Sequence, residues 1–321
     1  MRFMPAKSLM VVVIGCICLE PLIRAEQIPL FQTRTELVTV PVTVKDNDGH
    51  FVDGLTTTDI EVYEDDVVRP IVQFSREVVP ISVAIVLDIS GSMQRKSSRP
   101  SVDTRWKDTL LAVNTFLSRL RPEDEASLSV FNQRPNLLMD WTYDRQAVRR
   151  ALDGVELGGG TSVFRALIAA VGSLGGARSR RQVVLLISDG IDNDVPNQFL
   201  DSSAYDVGIF RYQQRLRAQA ALQKTEATLY AFGMATRGDA FPVNLVTLRP
   251  MATTTGGYAE AITQPDAITK TIIDLSDDLR AQYMLGFVPA NARDGKFHSI
   301  KVKAHDSQYR IRAKPGYIAS P

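Results

Sequence analysis

The feature that most constrains this chain is an unbroken apolar run, Val83-Ala84-Ile85-Val86-Leu87. A strand with no polar alternation has both faces covered, as in a parallel sheet held between helix layers. Residues 183–187 and 228–232 have the same character, and the stretches between them are amphipathic. Trp106, Leu110, Val113, Leu117 and Leu120 recur at spacings of 4, 3, 4 and 3, which places them on one helix face. Asp144 caps a helix reaching Leu152, and Thr161 or Ser162 opens another with Leu167, Ala170, Val171 and Leu174 on one stripe. Strands are expected near 128–131 and 137–141, and closing helices at 245–254 and 265–280. Gly256-Gly257 supplies the turn after the first closing helix. The alternation predicts an α/β fold with a doubly wound, mostly parallel sheet over residues 79–280. The connection 192–225 is longer than the others. Its second half, 211–226, reads as a surface helix packed by Tyr212, Leu216 and Ala220.

The flanks are β-rich. Leu37-Val38-Thr39-Val40 and Val42-Thr43-Val44 alternate, Asp46-Asn47-Asp48-Gly49 signals a turn, and short strands are expected at 51–52, 60–64 and 71–74. Beyond residue 280, strands are expected at 282–288, 297–303 and 308–312, with a hairpin signal at Asp294-Gly295. Neither set has enough strands to bury a core alone. Segments 26–78 and 281–321 are therefore expected to pair into one small flanking β domain.

Residues 1–25 read as an export signal: Arg2 and Lys7, then an apolar core to Cys18, with cleavage after Ala25. The expectation is a secreted or periplasmic protein with no membrane span in the mature chain. Val13-Ile14-Gly15-Cys16 also fits a lipobox, but the core before it is short and Ile17 is unusual after an acylated cysteine. A lipoprotein anchored at Cys16 is therefore less favoured. Cys16 and Cys18 are the only cysteines, so the mature chain is expected to hold no disulfide and no thiolate zinc site. A formal charge of +1 over 321 residues gives no global field for nucleic acid or an anionic membrane. Arg178, Arg180 and Arg181 form the densest basic spot, which reads as a solvated loop rather than a phosphate site.

Three segments fall where chemistry is expected. Asp88-Ile89-Ser90-Gly91-Ser92 follows the first buried strand, Gly158-Gly159-Gly160-Thr161-Ser162 opens a helix, and Ser188-Asp189-Gly190 follows the second buried strand. In a doubly wound sheet, loops beyond the carboxyl ends of strands share one crevice. The groups brought there are carboxylates and hydroxyls, with no His or Cys. That inventory suits magnesium, manganese or calcium rather than zinc or copper. Alternate residues of Asp-x-Ser-x-Ser face one side, and a cation held by two carboxylates and neutral hydroxyls has room for a carboxylate from a partner.

Asp88-x-Ser90-x-Ser92, Thr161 in a Gly-rich helix opening and Asp189 in Ser-Asp-Gly together resemble the metal-ion-dependent adhesion site of von Willebrand factor type A domains. The resemblance covers about residues 81–261 and implies a Rossmann-like sheet. Asp88, Ser90 and Ser92 would ligate directly or through water, Thr161 in the high-affinity arrangement, and Asp189 directly or through water. The flanks are similar to those of exported bacterial proteins of a related subfamily: Val44-Lys45-Asp46-Asn47-Asp48-Gly49 with Gly54-Leu55 and Phe74-Ser75, then Tyr283-Met284-Leu285-Gly286-Phe287, Gly295-Lys296-Phe297-His298 and Pro315-Gly316-Tyr317. The enlarged connection 192–225 departs from the family pattern.

Plainer readings compete. Thr161 can be only a helix cap and Asp189-Gly190 only a turn, though three coordinated segments weigh against that. Asp192 and Asp194 suggest a second cation site but read better as a solvated acidic loop. Arg95, Lys96 and Arg99 either steer acidic partners or are ordinary surface charges. Catalysis is not expected. His50, His298 and His305 all lie in the β flanks, no nucleophile elbow, zinc-protease helix or phosphate-binding loop motif is present, and Ser90 and Ser92 lack an adjacent base. The sequence thus points to a metal-dependent module that clasps an Asp or Glu side chain of a protein partner. The rival reading is a structural scaffold of an envelope complex whose metal site is vestigial or regulatory.

Overall fold

The computed structural model describes residues 37–76, 79–94, 105–189, 192–193, 203–234, 245–291 and 293–320. The segment read as an export signal, with Cys16 and Cys18, the basic residues Arg95, Lys96 and Arg99, and Gly190 and Asp194 lie outside these.

The first elements among the described residues are four strands, β1 (Val38–Lys45), β2 (Ile60–Glu64), β3 (Val67–Arg69) and β4 (Ile71–Ser75). β1 alternates: Val38, Val40 and Val42 are buried, while Thr39 and Pro41 are only partly covered. The next strand, β5 (Ile81–Asp88), is buried at all eight positions, as its unbroken apolar run requires. After it come α1 (Arg105–Arg119), β6 (Glu125–Phe131), β7 (Pro135–Thr142), α2 (Arg145–Arg150), α3 (Val163–Ser173), β8 (Arg181–Ile187), α4 (Ala204–Gln223), β9 (Thr228–Met234), α5 (Leu245–Thr254), β10 (Tyr258–Ile262) and α6 (Pro265–Ala281). Asp144 caps α2, its carboxylate accepting from the backbone N–H groups of Gln146 and Ala147.

The central sheet has the order β10-β9-β8-β5-β6-β7, parallel throughout except for β7, which runs antiparallel to β6. Odd-numbered residues of β5, including Val83, Ile85 and Leu87, pack against α1, α2 and α6. Even-numbered ones, Ala84 and Val86, pack against α3, α4 and α5. Chain order reverses between β5 and β8: α1 carries the chain from β5 to β6 on one side, and β8 returns on the other. That reversal opens a crevice at the carboxyl ends of β5 and β8.

One expectation fails in this layer. α4 begins at Ala204, with Ser203 as its cap, and Tyr212, Leu216 and Ala220 face outward. Ala218 and Leu222 face inward, into the cluster formed with α3 and α5. The helix carries two apolar stripes, and a small Ala at the contact lets it approach its neighbours closely.

The chain closes with β11 (Tyr283–Phe287), β12 (Phe297–Ala304), β13 (Arg310–Arg312) and β14 (Gly316–Ile318). These interleave with the opening strands into two four-stranded sheets, β13-β1-β11-β4 and β14-β12-β2-β3. The sheets share a core of Val40, Val42, Ile60, Val62, Leu285 and Phe287. Each contains strands from both ends of the chain, so a small β domain flanks the α/β layer. The strand expected at 51–52 is reduced to a single bridge between Lys45 and Phe51.

A buried polar network joins the two parts. Asp278 of α6 accepts from Thr43 Oγ1 of β1 at 3.3 Å, from Tyr230 Oη of β9 at 3.2 Å and from Arg312 Nη2 of β13. Gln282 Nε2 donates to Tyr230 Oη at 2.9 Å, and Arg312 Nη1 donates to the Gly256 carbonyl at 2.6 Å. Burial, with the Asp278 charge beside it, raises the Tyr230 phenol to about 12.

Candidate metal centre

Asp88 is the last residue of β5 and is wholly buried. Its Oδ1 accepts from the Ser90 backbone N–H at 2.8 Å and its Oδ2 from Ser188 Oγ at 2.6 Å. Both oxygens are thus fixed, one by its own loop and one by the residue before Asp189. Burial raises the Asp88 carboxyl to about 6, against those hydrogen bonds and with the Asp189 charge adding to the rise. Ser90 Oγ and Ser92 Oγ lie 3.0 Å apart at the start of a single 3₁₀ turn, Gly91–Gln94, whose Met93 is fully buried and anchors it.

The other two loops are tied to this one. Gly91 N donates to the Gly159 carbonyl at 3.1 Å, and Gly158 N to the Ile89 carbonyl at 2.8 Å. Gly159 has φ +83°, a left-handed conformation that favours glycine, and a Cβ there would meet Gln133 Oε1 at 3.1 Å. Thr161 is buried, and its hydroxyl makes no hydrogen bond among the described residues; its backbone is held by Asn193, whose Oδ1 accepts from Thr161 N at 2.6 Å. Asp189 is buried just beyond β8.

Three features of the site carry no sequence signal of their own. Arg105, the first residue of α1 and almost fully buried, places Nη1 3.4 Å from Asp189 Oδ2. Only α1's position over the crevice turns it inward. Asn193 pins Thr161 from a segment that reads as loop. Asp192, expected in a solvated acidic loop, is half-buried, and its Oδ2 accepts from Phe164 N at 3.1 Å. It therefore caps α3, which Ser162 does not do through its side chain. The signal for Ser188 was present, since it adjoins Asp189 in the same segment.

The donor chemistry fits a hard divalent cation: two buried carboxylates and three hydroxyls, that of Thr161 making no hydrogen bond among the described residues, at a strand-order reversal. Another set of potential ligands lies elsewhere. Asp46, Asp48 and His50 bring a ligand atom each within 4.8 Å of one another at the tip of β1. There Asp46 Oδ1 already accepts from the backbone N–H groups of Asp48 at 2.9 Å and His50 at 2.8 Å, which closes the turn expected from Asp46-Asn47-Asp48-Gly49.

Residues 83–191 match the family model of the von Willebrand factor type A domain, a span that includes Asp88, Ser90, Ser92, Thr161 and Asp189. Inter-alpha-trypsin inhibitor heavy chain H2 of Homo sapiens is 30% identical over 124 residues, which are 35% of this chain and 12% of that protein. This chain therefore corresponds to a small part of that relative's length. Among solved structures, a von Willebrand factor type A protein from Catenulispora acidiphila is similar over 90% of this chain and 76% of its own, with 12% identity and a TM-score of 0.47. BatB from Bacteroides thetaiotaomicron, described as a conserved hypothetical protein, is similar over 62% of this chain and 98% of its own (17% identity, TM-score 0.47). The vWF domain of the type V pili tip protein Mfa5 from Porphyromonas gingivalis is similar over 63% and 95% (14% identity, TM-score 0.48). No helix among the described residues is long and apolar enough to cross a membrane. Residues 83–191 of this chain are a von Willebrand factor type A domain, a kind of domain that commonly mediates protein–protein interaction.

Proposed function

We propose that Asp88, Ser90, Ser92, Thr161 and Asp189 hold one divalent hard cation, magnesium, manganese or calcium, and that the protein uses it to clasp an acidic side chain of a protein partner. The observation that carries this reading is convergence. Three segments separated by up to a hundred residues are cross-tied at the β5–β8 crevice, and everything they bring there is oxygen. Bound there, the cation would offer a coordination position to a carboxylate from outside. The chain's own part is to hold the donors in place: Ser188 and the Ser90 N–H orient the Asp88 carboxylate, and Asn193 sets Thr161.

The proposed role is binding without catalysis. His50, His298 and His305 belong to the β flanks, and of the two carboxylates proposed as ligands Asp88 is held by Ser90 and Ser188 while Asp189 faces Arg105. The proposed setting is outside the cytoplasm, supported by the charge and hydropathy pattern of residues 1–25. Capture of partners from an envelope extract, first with magnesium and then with a chelator, tests the reading: partners should be lost on chelation. The Arg105 contact favours a second reading, a scaffold in which a built-in cation already serves Asp189. Capture that survives chelation would select it.

A further inference from the structure

At the other end of the parallel sheet from Asp88, the α/β layer and the β domain leave a cleft of about 1080 Å³ between them. Its walls are largely aliphatic, with Leu37, Pro41 and Met284 on the β side and Val171, Leu174 and Val183 on the other. Four cations line it, Arg178, Arg180, Arg181 and Lys224, against one acid, Glu226, which is bound to Lys314 at 2.8 Å.

The arginine cluster is a solvated loop only in part: Arg178 and Arg180 are exposed, whereas Arg181 is not. Arg178 is taken by Glu125, which it meets through Nη1 at 2.5 Å. Arg181 begins β8 and is only 8% exposed. Its Nη2 donates to Gln282 Oε1, its only side-chain hydrogen bond among the described residues, and it forms no salt bridge there. The acids that act on it through space are engaged elsewhere. Asp124 accepts from the backbone of Ile81 and Arg121, and Asp278 from Tyr230 and Arg312. Burial accordingly pushes Arg181 below the usual arginine range. A desolvated guanidinium with donors to spare, at the edge of an aliphatic cleft, is a costly arrangement that an anion relieves. Arg180 and Lys224 sit exposed on the rim with no ion pair among the described residues.

We propose that this cleft binds an amphipathic carboxylate, its planar head forked on Arg181 beside Gln282 and its aliphatic body along Leu37, Pro41, Met284 and Leu174. The guanidinium matches a carboxylate in geometry as well as charge, and beside the apolar stretch of the wall it fixes the orientation of an amphipathic ligand. Arg180 and Lys224 add attraction at the mouth. This site is separate from the candidate metal centre and does not depend on it.

Titration calorimetry of the full chain with decanoate below its micellar concentration, against decanol and acetate, tests the proposal. Decanoate should bind at one saturable site, decanol at least about tenfold more weakly, and acetate not detectably, since each buried methylene contributes about fourfold. Arg181→Gln should weaken decanoate about tenfold or more while leaving decanol unchanged. Because Arg181 also holds Gln282, the rim pair Arg180→Gln/Lys224→Gln is measured too. It leaves every described hydrogen bond intact and should weaken decanoate a few-fold, with a shallower salt dependence. The proposal is overturned if decanoate does not bind, if decanol binds as tightly, or if the rim variant binds decanoate as wild type does.

Discussion

Asp278 is the residue on which the joint between the two parts of the molecule depends, and replacing it with Asn should show how strongly they are coupled. The carboxylate is 2% exposed and accepts from Thr43, Tyr230 and Arg312, which belong to β1, β9 and β13. Asn keeps the shape but removes the charge and turns one acceptor into a donor. Arg312 is then left without its anion, and either Tyr230 or Thr43 meets an amide N–H. Breaking a buried pair by removing one partner costs about 3–5 kcal/mol. Arg312 keeps some exposure, with a side chain 26% accessible, and retains the Gly256 carbonyl, so the low end, about 3 kcal/mol, is expected. With a urea slope of about 3 kcal/mol per molar for a chain of this size, the midpoint should fall by roughly 1 M, read by circular dichroism. Asp278→Asn/Arg312→Met, which removes both charges, should recover most of the loss. A midpoint within about 0.3 M of wild type, or a double variant as unstable as the sum of the singles, would refute the argument.

Two further substitutions test other parts of the account. His298, stacked on Tyr317, lies 2.7 Å from Asp65 and 3.1 Å from Asp294, and the Asp65 hydrogen bond, aided by Asp294, raises it above its ordinary 6.5 despite burial. Its stabilisation is therefore complete below about pH 6.5 and is lost as pH rises through the higher folded value, so the melting-temperature gap between wild type and His298→Gln should narrow from about pH 6 to pH 9; a widening gap would contradict this. At Gly257, a Cβ would lie 1.9 Å from the Leu229 carbonyl oxygen, so Gly257→Ala must push β10 away from β9 and should cost at least about 3 kcal/mol, a drop of roughly 6–10 °C in Tm. An unchanged melt would show that the turn has slack the structure does not suggest.

The central sheet was legible because β5 and β9 are buried at every position and β8 at all but one, so their composition alone states their environment. The short strands were not. β3 and β14 are three residues each, too brief to show alternation, and are held by register with β2 and β12. Which face α4 buries was hidden for a different reason: Tyr212 and Leu216 outrank Ala218 in hydrophobicity, but close helix packing selects the small residue. At the candidate site, the Asp88–Ser92 loop and the setting of Thr161 and Asp189 could be read from local pattern. Arg105 could not, because a charge at a helix start looks solvated until the fold places that helix over the crevice. Arg181 escaped similarly: it follows two exposed arginines, and only the start of β8 at that residue draws it inside.

The central claim, that five oxygen donors hold a divalent cation, is tested most directly by thermal unfolding with and without magnesium or manganese in wild type, Ser90→Ala and Asp88→Ala. Asp88 contributes a full charge and each serine only a dipole, and without Asp88 the set retains Asp189 as its one formal charge, already beside Arg105. The metal-free protein should tolerate Asp88→Ala, because burial already disfavours the ionised carboxylate, holding it at about 6. At a metal concentration one hundred times the dissociation constant, wild type should gain about 2.7 kcal/mol by mass action. The account predicts a clear rise in Tm for wild type, a smaller one for Ser90→Ala and none for Asp88→Ala. Equal shifts in wild type and Asp88→Ala, or no shift in either, would contradict it.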